Sequence, residues 1–250
     1  MNPNLIDWAS SLSGCDGGNI NAKTWLCGIE WGGGSRDAYY EKDLPEEIKA
    51  GQAQCNTEVF HWKESITYNF GWSFAKLYTA MNGGKVEDYR QVADLSGKEL
   101  FKLNLYPIAF DSTDHSLWHK HGLDEITGFE NKYLFNTWCF FNRFPAFTKL
   151  RKKQKPELII CTGVDYLRDF LMFCGGDGAI EKLNVGKIAP ASANNRNDRT
   201  YYWVVLDGET LLVIIPFFSG SYGLNSNYLL QQFGEQIAHL RNEMLSQKEA

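Results

Sequence analysis

Two stretches of the 250-residue chain place residue types able to do chemistry inside apolar surroundings. The first, KTWLCGIEWGGGSRD (23–37), runs an apolar segment into a glycine cluster with a single acid, Glu30, at the join. Glycine tolerates positive φ and lets other groups approach the backbone closely. Gly28 and Gly32 therefore mark a place where a ligand or another strand comes near, with Trp31 between them. Glu30 has two readings there: a carboxylate facing a ligand, or a solvated residue on a turn. The stretch is not a dinucleotide fingerprint, since no G-x-G-x-x-G follows in register, and it has no Walker lysine.

The second, FKLNLYPIAF (101–110), puts Asn104 in an apolar run. A buried amide must find partners, and a base edge or a neighbouring loop would each provide them. Because an amide donates and accepts in one plane, Asn104 could read a pyrimidine edge. Tyr106 and Phe110, on the same stretch, are candidate lining residues. A third stretch, IPFFSGSYGLNSNYLL (215–230), sets aromatics, hydroxyls and glycines ahead of a helix. Ser219 and Ser221 could meet phosphate near a helix N-terminus, with Asn225 beside them. Phe217, Phe218 and Tyr222 could stack on a base or wedge into a duplex. The alternative is a plain loop ending in an Asn or Ser cap.

Two polar clusters have blander readings. DHSLWHKHG (114–122) groups His115, His119 and His121 near Asp111 and Asp114. His115 and His119 would share a helical face, but no H-E-x-x-H pattern follows, so no metal site is assigned. KLRKKQK (149–155) and NNRNDR (194–199) are the local basic segments, read as solvated or as phosphate contacts.

The elements that must position these residues follow from periodicity. Short apolar runs at 24–30, 98–110 and 155–163 read as strands ending at glycine or proline. Residues 199–218 read as two strands around Asp207-Gly208, a hairpin signal. Helices are expected over 4–12, around LPEEIKAG, over 69–84 with Phe70, Phe74, Leu77, Tyr78 and Met81 on one stripe, over 164–173 and over 227–245. The segment 131–154 is expected to be helical, interrupted or restarted at Pro145. Strand–helix alternation implies an α/β fold of three layers, α/β/α, with a mostly parallel four-stranded central sheet and a C-terminal β-hairpin, as one domain spanning 1–250. Ligands in such sheets gather at the carboxyl ends of strands.

Composition bounds the function. A 44% hydrophobic and 22% charged chain is ordinary for a globular protein, and 14% aromatics are enough to fill cores and line pockets. The net charge of −5 supplies no global field for nucleic acid. Six scattered cysteines without a C-x-x-C pair, no secretory signal and no apolar run of about 18 residues read as a cytoplasmic chain with reduced thiols and no membrane partner.

Taken in order, GIEWG, LNLYP, PELIICTG and IPFFSGSYGLN resemble the uracil-DNA glycosylase superfamily, in four patches over residues 24–240. The resemblance implies base recognition in DNA, single-stranded or damaged, or in a nucleotide, with N-glycosidic hydrolysis of a damaged or deaminated base and no cofactor. By position Glu30 matches the water-activating Asp or Asn, Trp31 replaces a proline, and Asn104 matches the base-reading Asn. SGSYGLN (219–225) is similar to the loop entering the minor groove, with Tyr222 or Leu224 as the wedge. The aromatic that stacks on the base would be Trp62, Phe70 or Trp72. Phe217 stands where the H-P-S pattern has its histidine, so the group that stabilises the departing base is replaced. A non-catalytic binding protein on the same fold, or a hydrolase of a small nucleotide, are the alternatives. The oligomeric state is not encoded in any motif.

Overall fold

The computed structural model of the chain describes residues 3–32, 38–53, 55–110, 116–191 and 197–249. Seven strands among them form one mixed sheet: β1 (Gly17–Gly18), β2 (Thr24–Gly28), β3 (Leu100–Asn104), β4 (Leu158–Thr162), β5 (Asn184–Ile188), β6 (Arg199–Leu206) and β7 (Thr210–Ile215). Their order across the sheet is β1-β3-β2-β4-β7-β6-β5. Strands β3, β2, β4 and β7 pair in parallel, while β1, β6 and β5 add antiparallel edges. The helices are α1 (Leu5–Ser10), α2 (Leu44–Ala50), α3 (Trp62–Ser65), α4 (Asn69–Met81), α5 (Leu117–Lys120), α6 (Leu123–Thr127), α7 (Lys132–Gln154), α8 (Leu167–Cys174) and α9 (Asn227–Glu249).

Strands β2, β3, β4 and β7 are buried at every residue, which explains their unbroken apolar runs: a strand covered on both faces has no reason to alternate. Successive side chains still point to opposite faces. Trp25, Cys27, Phe101, Leu103, Ile159 and Cys161 join one buried cluster with residues of α1, α2, α7 and α8. Leu26, Leu100, Leu158, Ile160, Leu211 and Val213 join a second with α4 and α9. The hairpin expectation rested on Asp207-Gly208, and both residues take positive φ, 52° and 70°, as a tight strand reversal requires.

The sequence reading lacks β1, β5, α3, α5 and α6 and interrupts or restarts α7, and two of these differences have a plain physical reason. Helix α7 runs without a break through Pro145. The carbonyl freed by the missing proline N–H belongs to residue 141, whose side chain is 69% exposed, so water can satisfy it. Buried Phe144 and Phe147 hold the helix on its other face. Strand β5 went unseen because its sequence, NVGKI, is polar and mostly exposed. It is an edge strand, and at Gly186 any Cβ would collide with the Tyr201 ring.

One side chain ties several elements together. Arg143, fully buried in α7, donates to the carbonyls of Ala9, Ser13, Asn104 and Leu105 and to the Ser13 hydroxyl, at up to 3.0 Å. Its ring of acceptors is almost entirely backbone. Five donors in a rigid fork match that cage, whereas a lysine offers three from a point charge. Arg143→Lys is therefore expected to lower stability by roughly 3 kcal/mol, because carbonyls would be left buried and unpaired. Urea unfolding of the two proteins measures it; a change below about 1 kcal/mol would mean the cage relaxes freely.

Candidate functional site

Gly28 ends β2 and Asn104 ends β3, and the two are direct partners in the parallel register. Beyond them the chains stay zipped: Leu105 N–H donates to Gly28 O, Tyr106 N–H to Ile29 O and Phe110 N–H to Trp31 O, at 2.9–3.0 Å. Glu30 is thus carried on an ordered extension of the strand. A cavity of about 530 Å³ opens here, at the carboxyl ends of β2 and β3. Its walls include Gly28, Glu30, Trp31, Gly32, Phe70, Asn104 and Phe217, seven of the residues singled out from sequence. Asp16, Ile29, Tyr68 and Lys102 complete them.

The cavity has an aromatic side. Phe70, at the start of α4, and Phe217, just after β7, face each other with centroids 5.8 Å apart and rings tilted by 47°. Tyr68 lies beside them, and Phe217 is 38% exposed. Of the three stacking candidates Phe70 is the one in the wall. Trp62 is buried between Phe60, Phe74 and Tyr78, and Trp72 lines a neighbouring hollow.

The polar side consists of two ion pairs and one amide. Glu30 Oε1 accepts from Lys132 Nζ at 2.8 Å, with both side chains under a tenth exposed. Lys132 also sits 3.9 Å from the centre of the Phe110 ring. Burial pushes the Glu30 carboxyl above its ordinary value, and the Lys132 ammonium holds back part of that rise. Burial likewise lowers Lys132, with Glu30 opposing. Lys102 contrasts with it. Burial alone would lower that amine, but Asp16 at 3.1 Å and the Tyr68 hydroxyl at 3.2 Å more than offset it, so its value is raised.

Asn104 spends its donor half on the fold. Its Nδ2 donates to Gly14 O at 2.8 Å and to Asp16 Oδ2 at 3.3 Å. The neighbouring-loop reading of this amide therefore accounts for its N–H groups. Oδ1 points the other way, over Gly28, where a Cβ would collide with it. The absence of a side chain at residue 28 is what admits that oxygen.

Other residues read as site candidates lie elsewhere. Tyr106 is buried against Phe144 and Tyr166, and Phe110 is covered beneath Lys132. Ser219 and Asn225 line a separate hollow of about 350 Å³ with Trp72 and Lys76. Ser221 is exposed, its carbonyl accepting from Arg199, and Tyr222 is 70% exposed. Leu224 is fully buried in the core, which removes it as a wedge and leaves Tyr222 as the projecting residue of that loop.

The basic run belongs to the other end of the sheet. It precedes Leu158, which pairs with Thr24 at the start of β2, about 13 Å of strand from Gly28. Arg151 is buried and bonded to Asp207 and to Cys174 O, and Lys155 pairs with Glu209. Asp111, Asp114, His115 and residues 33–34 and 194–196 lie outside the described residues. His119 bonds Asp124 at 3.0 Å and His121 stacks on Tyr40 at 4.3 Å. Among the described residues no group of three His, Cys, Asp or Glu is placed to hold a metal, and no helix is long and apolar enough to cross a membrane.

Sequence reasoning missed Asp16, Tyr68, Lys102 and Lys132. Lys102 carried a signal, a cation inside an apolar strand that had to find an anion. Lys132 carried none, standing 102 residues from Glu30.

No family model matches the chain, and no curated protein matches it closely enough to supply a relative.

The opposed influences on Glu30 give a direct expectation. Its carboxyl should titrate above the ordinary carboxylate value, and Lys132→Met should move the midpoint higher still, since the cation that opposes burial is gone. Carbon-13 NMR of the Glu30 carboxyl reads both; an unchanged or lower midpoint in the variant would break the assignment.

Proposed function

We propose that this chain recognises a nucleobase and cleaves its N-glycosidic bond, on a three-layer α/β/α fold of the uracil-DNA glycosylase kind with four parallel strands at its centre. The observation that carries the reading is the convergence of Glu30, Asn104 and the Phe70–Phe217 pair on one cavity at the strand ends. Aromatic faces bind any base by stacking, and Phe217, 38% exposed at the cavity wall, offers such a face.

In this reading Glu30 acts near the anomeric carbon. Cleavage builds positive charge on the sugar, and a desolvated carboxylate stabilises it more strongly than one in water. The same group orients the water that attacks and takes its proton, which then passes to the nitrogen of the departing base, so that base and hydroxylated sugar leave neutral. Lys132 is a positioning residue: it fixes Oε1 and favours the ionised form, leaving Oε2 for the reacting atoms. Asn104 contacts the base edge through Oδ1.

One observation favours a small nucleotide over a long strand as the substrate. Lys102 at the cavity and Lys132 behind Glu30 are both engaged with acids, and the lysine-rich end of α7 lies toward the opposite end of the strands, so among the described residues no phosphate track adjoins the opening in the way a groove for single strands has one.

The test is release of base from free nucleosides and from single- and double-stranded oligonucleotides, covering deaminated bases and their amino-bearing parents. Wild type should release base and Glu30→Gln should fall at least tenfold. Release from oligonucleotides that weakens steeply with salt would identify the polymer as substrate. No release from any of them, with ligand binding intact in Glu30→Gln, would leave a binding protein.

A further inference from the structure

We propose that the cavity selects a base carrying an exocyclic amino group over its carbonyl counterpart. This rests on reading the cavity as a nucleobase site, and it comes from counting which side-chain hydrogen-bonding groups of the wall are already used among the described residues.

The side-chain donors are committed to the protein. Asn104 Nδ2 serves Gly14 O and Asp16 Oδ2. Lys102 Nζ serves Asp16 Oδ1 and the Tyr68 hydroxyl, and its charge lies 4.9 Å from the centre of the Phe70 ring. The Tyr68 hydroxyl shares a hydrogen bond with Ser65 Oγ at 3.4 Å, in which either oxygen can be the donor. The Trp31 indole N–H is fully covered.

The acceptors have capacity left. Asn104 is nearly fully buried, yet its Oδ1 accepts no hydrogen bond among the described residues. Asp16 takes two bonds, where an ionised carboxylate offers about four lone-pair sites. These two acceptors stand side by side, joined through the Asn104 Nδ2–Asp16 Oδ2 contact. A ligand edge presenting N–H groups satisfies both. A carbonyl in the same place would set oxygen against oxygen with no proton between, a buried mismatch of the kind that produces discrimination.

This reverses the selectivity expected from the residue type alone. An asparagine with a free amide face could pair with both the carbonyl and the N–H of a uracil-like edge, but loop 14–16 has taken its donor half. The wall that remains matches guanine, adenine or cytosine amino groups.

The experiment is equilibrium titration of wild-type protein with adenosine against inosine, in which a carbonyl replaces the 6-amino group, and with cytidine against uridine, in which a carbonyl replaces the 4-amino group. Where a pair binds, the amino-bearing member should bind at least about tenfold tighter, the discrimination one well-placed base contact supplies. Asp16→Asn, which turns part of the acceptor edge into a donor, should narrow that ratio. Equal affinity within the binding pairs, or tighter binding of inosine or uridine, overturns the selectivity while leaving the nucleobase reading standing. Binding of none of the four nucleosides overturns the nucleobase reading and the selectivity with it. The wild-type comparison decides the matter even if Asp16→Asn fails to fold.

Discussion

The frame at the end of β3 depends on an arginine that meets no acid among the described residues. Arg143 is buried in α7 and held by four backbone carbonyls and one serine hydroxyl. Those carbonyls come from α1, the turn after it and the end of β3, so one guanidinium fixes the helix, the loop and the strand relative to each other. Loop 14–16 leaves from that anchor, and it orients the Asn104 amide and delivers Asp16. Helix α7 also carries Lys132, eleven residues earlier, about 16 Å along the same rigid rod. The group that fixes the frame and the group that holds Glu30 are thus mounted on one element. A helix kinked at Pro145 would not disturb either, since both precede it.

The two ion pairs of the cavity are not equivalent. Lys102 has an anion, a hydroxyl and an aromatic face around it, and its charge is reinforced despite burial. Lys132 and Glu30 are both displaced toward their neutral forms, each restrained by the other. A pair of the first kind is architectural: it pins Asp16 and the first residues of α4 to β3. In a pair of the second kind burial opposes both charges, and each partner holds the other back from the neutral form, the setting in which groups that work as acids or bases are found.

Much of the frame was legible because it is written in local patterns. Unbroken apolar runs stopped by glycine gave β2 and β4, and Asp207-Gly208 gave the reversal between β6 and β7. Glu30 and Asn104 were legible for a related reason: each is a polar residue that interrupts or ends an apolar strand. What stayed hidden is what depends on long-range placement. Nothing around Lys132 announces that it will meet Glu30, and nothing around Gly14 announces that its carbonyl will claim the Asn104 amide. Pro145 misled because a proline stops a helix only when the freed carbonyl is starved of partners, which is a property of the surroundings. Leu224 misled in the opposite sense, its loop context hiding the fact that the core closes over it. Tyr106 and Phe110 were misplaced because a strand end and the segment after it share a sequence run but not a face.

The cost of the arrangement is itself informative. Burying a charged pair forfeits hydration that the pair's own attraction only partly restores, and apolar residues of similar volume often serve stability as well or better. Here two such pairs and a half-satisfied amide stand within one cavity, while the sheet on either side is packed with Leu, Ile, Val and aromatic side chains. A chain selected for stability alone would not concentrate its desolvated charges at the carboxyl ends of β2 and β3. Each of these polar groups leaves something unspent: Oε2 of Glu30, lone pairs of Asp16, Oδ1 of Asn104. Those unspent valences all border the same space, beside two rings that could hold a flat molecule. The energetic penalty and the available hydrogen-bonding capacity thus coincide in one place, and a ligand that completes the acceptors would offset part of that penalty.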